Sequence, residues 1–282
     1  MSRPQPLTHI LRIGAYTIRD HLRQKGFIVM ILIGAAFVFF SRSCYQGDYL
    51  INGRMLDIGD VAMSVSKMSF HVIAVGMMFL AALLAMRAFR YDRDHGMQAC
   101  IMAKPITRTQ YVTGKVLGLW ILALACMFML HAIVFIVIAL RVKVFMPIYL
   151  AASLLCAFNL LFMVMSVFVL SLFMTDFIAF IAVMAITLIS FVSEGLHTIH
   201  QNQLLRVITM PHGAAHQEDV TWTTVMYHLW PKISGLQSSA ASLIDRGWTW
   251  GWRGLYPLIN ILAYCLILAA LLIWRFKGEE IL

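Results

Sequence analysis

The side chains best suited to chemistry are histidines in the last third of the chain. Glu194, His197 and His200 follow an i, i+3, i+6 spacing, and His212 and His216 stand four residues apart. On a helix each set would share a face and offer imidazoles to a metal. Pro211 and Gly213 work against a helix around the second pair. Hydrogen-bonded polar surface accounts for these residues more simply, so no metal site is assigned, and His197, His200, His212 and His216 are kept as a minor metal-binding alternative. His131 and Asn159 lie inside long apolar runs, where a polar group is a functional candidate by default. No carboxylate in those runs is available to pair with His131, which favours a packing histidine over a proton relay. Asn159 reads as a helix–helix hydrogen bond and Asp176 as a helix N-cap at a boundary. His131 and Asn159 are the polar residues placed to meet a substrate inside the membrane.

Other chemistry is missing. The chain has no G-x-x-x-x-G-K-[ST] loop to cradle phosphates, and no HExxH, GxSxG or CxxC motif. Its cysteines (Cys44, Cys100, Cys126, Cys156 and Cys265) are scattered without metal or disulfide spacing. The expectation is a protein without catalytic residues or a cofactor of its own. Any ATP and Mg must be handled by a partner.

Composition says where such a protein sits. Hydrophobic residues make up 61% of the chain and charged residues 12%, against about 45–50% and about 25% in ordinary soluble domains. The class is an all-α integral membrane protein. The net charge of +9 comes from basic residues gathered at the ends of apolar runs, where they set topology and meet anionic lipid; nucleic-acid binding is not expected. The first apolar run follows an Arg-rich amphipathic stretch and carries no small-residue cleavage site, so it should remain in the mature protein.

The elements that must position these residues read as one transmembrane domain over residues 1–282. Residues 7–25 form an amphipathic helix, with Leu7, Leu11, Gly14, Ala15, Ile18 and Leu22 on one face and Arg12, Tyr16, Arg19 and Arg23 on another. Such a helix lies in the membrane interface. Six spans follow, at 26–43, 68–88, 109–140, 147–173, 176–193 and 255–274. The third is longer than a bilayer needs, so its first turns should project into the cytosol. Residues 194–254 form a long outer loop rich in tryptophan (Trp222, Trp230, Trp248, Trp250, Trp252), a composition suited to interfacial or re-entrant segments. The density of Lys and Arg favours cytosolic N- and C-termini in a plasma (bacterial inner) membrane.

One charged stretch, Arg87 to Gly118, interrupts the apolar runs on the cytosolic side. A short helix is expected over residues 92–104, ended by Pro105. Thr107 and Gln110 then match a capping box that opens the third span. Gly114 and Gly118 make a GxxxG, which permits close helix packing.

This stretch carries a resemblance. Asp94 and Gly96, the apolar pair Ile101 and Met102, the run Lys104-Pro105-Ile106-Thr107-Arg108, Tyr111, and Gly114-Lys115-Val116-Leu117-Gly118 resemble the cytosolic coupling helix of an ABC-2 type (type V exporter fold) ABC transporter permease subunit. That family often has Glu before the glycine and Thr after it; here the residues are His95 and Met97, with acids at Asp92 and Asp94. His228 to Pro231 and the small-residue helix after it are similar to the family's re-entrant outer segment before the last span. The resemblance implies docking of an ATPase at Asp92, Asp94, Gly96, Ile101, Met102, Lys104 and Arg108. It also implies a second permease copy or a related permease, two cytosolic ATP-binding subunits and contact with membrane lipid. Substrate export or mechanical work would follow. Two other readings are a membrane anchor or scaffold for a periplasmic or respiratory partner, and an intramembrane metalloenzyme using the outer-loop histidines.

Overall fold

A computed structural model describes residues 6–41, 50–51, 54–55, 58–94, 106–141, 143, 145–201, 227, 229–246 and 252–277. Among these, the order is α1 (Pro6–Leu22), α2 (Lys25–Ser41), β1 (Leu50–Ile51), β2 (Arg54–Met55), α3 (Ile58–Asp94), α4 (Arg108–Arg141), α5 (Ile148–Ser171), α6 (Asp176–Gln201), α7 (Ile233–Arg246) and α8 (Trp252–Lys277). The two short strands form an antiparallel hairpin that pairs Leu50 with Met55 and Ile51 with Arg54. Asn52-Gly53, the sequence between them, is a pair that favours two-residue hairpin turns.

Among the described residues, five helices are long and apolar enough to cross a membrane: Met63–Ala88, Arg108–Leu140, Ile148–Ser171, Asp176–Leu196 and Gly254–Arg275. A sixth span results if α1 and α2 count as one broken span, bent by 74°. With 17 residues, α2 reaches about 26 Å at 1.5 Å per residue, just under a hydrocarbon core of about 30 Å.

The bundle is built around α5. In its apolar window 72% of residues are buried, against 22% in those of α6 and α8, and it packs on α3, α4, α6, α7 and α8. The cause is a sequence apolar on every side, with Tyr149, Leu160, Met163, Val167 and Phe168 wholly enclosed. The outward faces of α6 (Phe177, Ile181, Leu188) and α8 (Leu266, Ile267, Trp274) stay uncovered, as lipid-facing helices require.

Several boundaries differ from the sequence expectation. The second span belongs to a 37-residue helix, α3, which begins ten residues before position 68. Gly59 and Asp60, which suit a loop, fall inside its first turn, and further along Ser66 and Ser69 are buried against the bundle. At its other end α3 continues unbroken through Asp94, so Asp92 closes this helix and does not open a separate one at residue 92. No proline lies between Ile58 and Asp94 to stop it. Residues 95–104, the rest of the expected 92–104 helix, lie outside the described residues, as does Pro105. Helix α6 runs past 193 to Gln201, and α8 starts at Trp252 with Pro257 inside it.

Candidate functional site

The charged stretch re-enters the bundle through a capping box. The Thr107 N–H donates to Gln110 Oε1 at 3.0 Å, and the Gln110 N–H donates to Thr107 Oγ1 at 3.3 Å. Two N–H groups with no intrahelical partner are thereby satisfied, and α4 starts at Arg108.

One turn further on, α4 is tied to the end of α3. Lys115 Nζ lies 2.6 Å from Asp92 Oδ2, with the two side chains only 2% and 0% exposed. Lys115 also donates to the Ala88 carbonyl at 2.9 Å, and the Tyr111 hydroxyl donates to Asp92 Oδ2 at 2.5 Å. Tyr111 and Lys115 are four residues apart and so share the α4 face that meets α3. Charges this deeply buried add little net stability, but removing one partner strands the other and costs about 3–5 kcal/mol. The pair therefore fixes the register of α3 against α4. It brackets the charged stretch between them.

The third partner is α1. A Cβ on Gly118 would stand 2.8 Å from the Gly14 carbonyl oxygen and 3.0 Å from the Gly14 Cα. One on Gly114 would meet Ile13 at 2.8 Å and the Ile10 carbonyl at 3.0 Å. The GxxxG is thus a notch for α1, whose face of Ile13, Gly14, Thr17 and His21 is buried. His21 Nδ1 lies 2.9 Å from the Thr17 carbonyl, so Nδ1 carries the proton and donates. Burial lowers the pKa of His21 below its usual value, and the nearby Lys115 charge pushes the same way.

Of the residues expected to dock a partner, Asp92 is buried in this junction. Its carboxylate faces the bundle. Asp94 ends α3, and Arg108 opens α4, half-buried. Gly96, Ile101, Met102 and Lys104 lie outside the described residues, as do His212, His216 and the side chains of His197 and His200. Among the described residues no group of His, Cys, Asp or Glu could hold a metal.

His131 sits at a closed aromatic contact. Its Nδ1 is 2.8 Å from Ser153 Oγ, its ring stacks on Phe70 with centroids 4.8 Å apart, and Tyr149 meets it edge-on. It is 0% exposed, so in this conformation it packs α3 against α4 and α5 and touches no open path.

Asn159 belongs to a second junction, around the start of α7. Its Nδ2 donates to the Ile233 carbonyl at 2.9 Å, Ser190 Oγ donates to the Pro231 carbonyl at 2.8 Å, and Asn260 Oδ1 accepts from the Lys232 N–H at 2.9 Å. Trp230 Nε1 donates to the Ile186 carbonyl at 3.0 Å, and the Tyr264 hydroxyl donates to the Leu229 carbonyl. One turn into α7, Gln237 Nε2 lies 2.9 Å from His71 Nδ1 and donates to the His71 carbonyl at 3.2 Å. Helices α3, α5, α6 and α8 each contribute a hold. Asn159, Ile186, Ser190, Asn260 and Tyr264 all fall near the middle of their helices, so α7 starts at mid-height of the bundle. Its 14 residues extend about 21 Å, enough to cross half of a bilayer but not all of it. The polar side chains there satisfy backbone groups that the surrounding helices bury.

Sequence reasoning identified Asp92, Gly114, Gly118 and Asn159 but missed Tyr111, Lys115, His21, Ser190, Asn260 and Gln237 as their partners. A signal existed for Lys115, a lone cation one turn from Tyr111 at the foot of an apolar helix. Ser190 and Asn260 had none, because a single hydroxyl or amide in a span has many local partners.

A family model described as ABC-2 family transporter protein matches residues 16–218, most of the chain. No curated protein matches it.

Proposed function

The chain belongs to the ABC-2 family of transporter proteins, and from that premise we propose that it works as half of a transporter. It pairs with a second copy or a related permease, and two cytosolic ATP-binding subunits drive the pair. The family identifies the chain as a multi-pass permease of an ABC transporter, without a phosphate-binding loop of its own. In the proposed arrangement both termini and residues 92–108 face the cytosol of a plasma membrane. The stretch around Asp94, Ile101 and Arg108 is gripped by an ATP-binding subunit, and α1 lies along the interface.

The observation that carries this reading is the buried Lys115–Asp92 pair, 2.6 Å long, which closes the base of the cytosolic stretch. An ATPase that changes shape outside the membrane acts on spans only through a stiff element. With α3 and α4 locked at Asp92 and Lys115, and α1 seated in the glycine notch, a pull on residues 95–107 moves three helices together. At mid-height of the bundle, the start of α7 is held by side chains from α3, α5, α6 and α8, so motion of these spans redistributes its holds and opens or closes the outer half. ATP hydrolysis with Mg takes place in the partner, and the substrate moves outward or is released mechanically.

Affinity capture of the tagged chain from membranes, followed by assay of ATP turnover, tests the reading. Recovery of an ATP-binding-cassette subunit in equal amount, with a mass fitting two copies of each, is expected. Capture of the intact chain with no nucleotide-binding subunit would sink it.

A further inference from the structure

Helix α1 has three faces, and the bundle uses one. Ile13, Gly14, Thr17 and His21 are buried against the rest of the chain. A second stripe is apolar yet uncovered: Leu7 is 61% exposed, Leu11 59% and Leu22 47%. A third stripe carries Arg12 and Arg19, and Arg23 follows directly after the last helical residue, all three exposed. At 100° per residue the leucines centre roughly 100° from the arginines around the helix, so apolar and cationic surface lie side by side. Helix α1 is also bent by 74° from α2. With α2 running across the bilayer, α1 lies nearly in the membrane plane.

We propose that the paired leucine and arginine stripes of α1 form a binding surface for anionic phospholipid, with acyl chains under Leu7, Leu11 and Leu22 and headgroup phosphates against Arg12, Arg19 and Arg23. Charge decides the occupant. A helix that only floated at an interface would need the leucines alone, whereas three arginines in register beside them match a leaflet carrying negative headgroups. Because α1 is seated in the Gly114–Gly118 notch, lipid held on its outer faces restrains the same α4 that carries Lys115. The membrane's anionic content is thereby coupled to the α3–α4 junction. An ATP-binding subunit covering α1 is the competing occupant.

The test uses the full chain in nanodiscs of phosphatidylcholine doped equally with photoreactive phosphatidylglycerol or photoreactive phosphatidylcholine, with labelled peptides mapped by mass spectrometry. The exposed Leu262 and Leu266 of α8 serve as the internal reference. Relative to α8, residues 7–22 should be labelled at least ~5-fold more by the anionic probe, the effect expected from even one surface arginine. Replacing all three (Arg12→Gln, Arg19→Gln, Arg23→Gln) should bring the two probes level. Equal labelling of wild-type α1 by both probes would overturn the proposal. So would the absence of α1 labelling by either probe while α8 is labelled. The nanodisc presents both lipids on both faces and holds no ATPase, so an error in the assigned topology or in the transporter reading leaves this result unchanged.

Discussion

Lys115 and Asp92 face each other across 2.6 Å in a space that excludes solvent, and they come from the two helices on either side of the one long charged stretch of the chain. Neither charge has water to fall back on. Removing one leaves the other stranded. Lys115→Met or Asp92→Asn alone should lower stability by about 3–5 kcal/mol, while the double substitution should recover much of the loss. Thermal unfolding of the four proteins in one detergent, treated as a double-mutant cycle, measures this. Additive losses would mean that the two groups do not interact.

The glycine notch makes a sharper steric prediction. Gly118→Ala puts a methyl 2.8 Å from the Gly14 carbonyl, and because the obstacle is backbone, α1 must move. A loss of about 1–3 kcal/mol is expected, with faster proteolysis within residues 6–22. Gly76→Ala is the matched control. Nothing lies within 4 Å of its added Cβ, and in a helix the change should stabilise by about 0.5–1 kcal/mol.

Much of this was legible in the sequence, for physical reasons. Apolar runs with basic flanks announce spans, and Thr107 with Gln110 announces a helix start, because both depend on local patterns. The GxxxG at Gly114 announced a close approach but not its partner, since Gly14 lies a hundred residues away on a helix whose periodicity already accounted for it. The start of α3 was not legible because Gly59 and Asp60 look like loop residues, whereas the helix is held by packing that buries Ser66 and Ser69. Asp92 was assigned to ATPase docking through the family resemblance alone, and the cation that pairs with it, Lys115, sits 23 positions later, too far for a local pattern to announce. The tertiary contacts of α7 were illegible, being single polar atoms spread over four helices.

Protonation of His21 should loosen α1. Its pKa in the folded protein lies below the usual 6.5, so the folded state prefers the neutral ring. The stability this provides is fully present above about pH 6.5 and is lost as pH falls through the lower folded value. Lys115 on α4 opposes the added charge, and Asp20 on α1 only partly offsets it. Thermal stability measured between about pH 8 and pH 5 should fall in acid for the wild type and stay flatter for His21→Gln. Parallel curves would remove His21 from the account.

At the junction that starts α7, Asn159→Leu deletes the donor to the Ile233 carbonyl and leaves a buried acceptor unpaired, at about 1–3 kcal/mol. The start of α7 should loosen. Thiol labelling of Ser238→Cys, an exposed position on α7, should change in rate when Asn159→Leu is added. An unchanged rate would mean that this hydrogen bond does not hold the segment.

In the proposed transporter an ATP-binding subunit takes hold of the charged stretch between α3 and α4. Co-purification and ATP turnover of the assembled complex carrying Asp94→Lys, Ile101→Asp and Arg108→Glu test it most directly. Capture of the ATP-binding subunit and stimulated turnover should each fall by about tenfold or more, the effect of losing roughly 1.4 kcal/mol or more of binding, while the membrane subunit keeps its own thermal stability. Association and turnover equal to the wild type would contradict the claim.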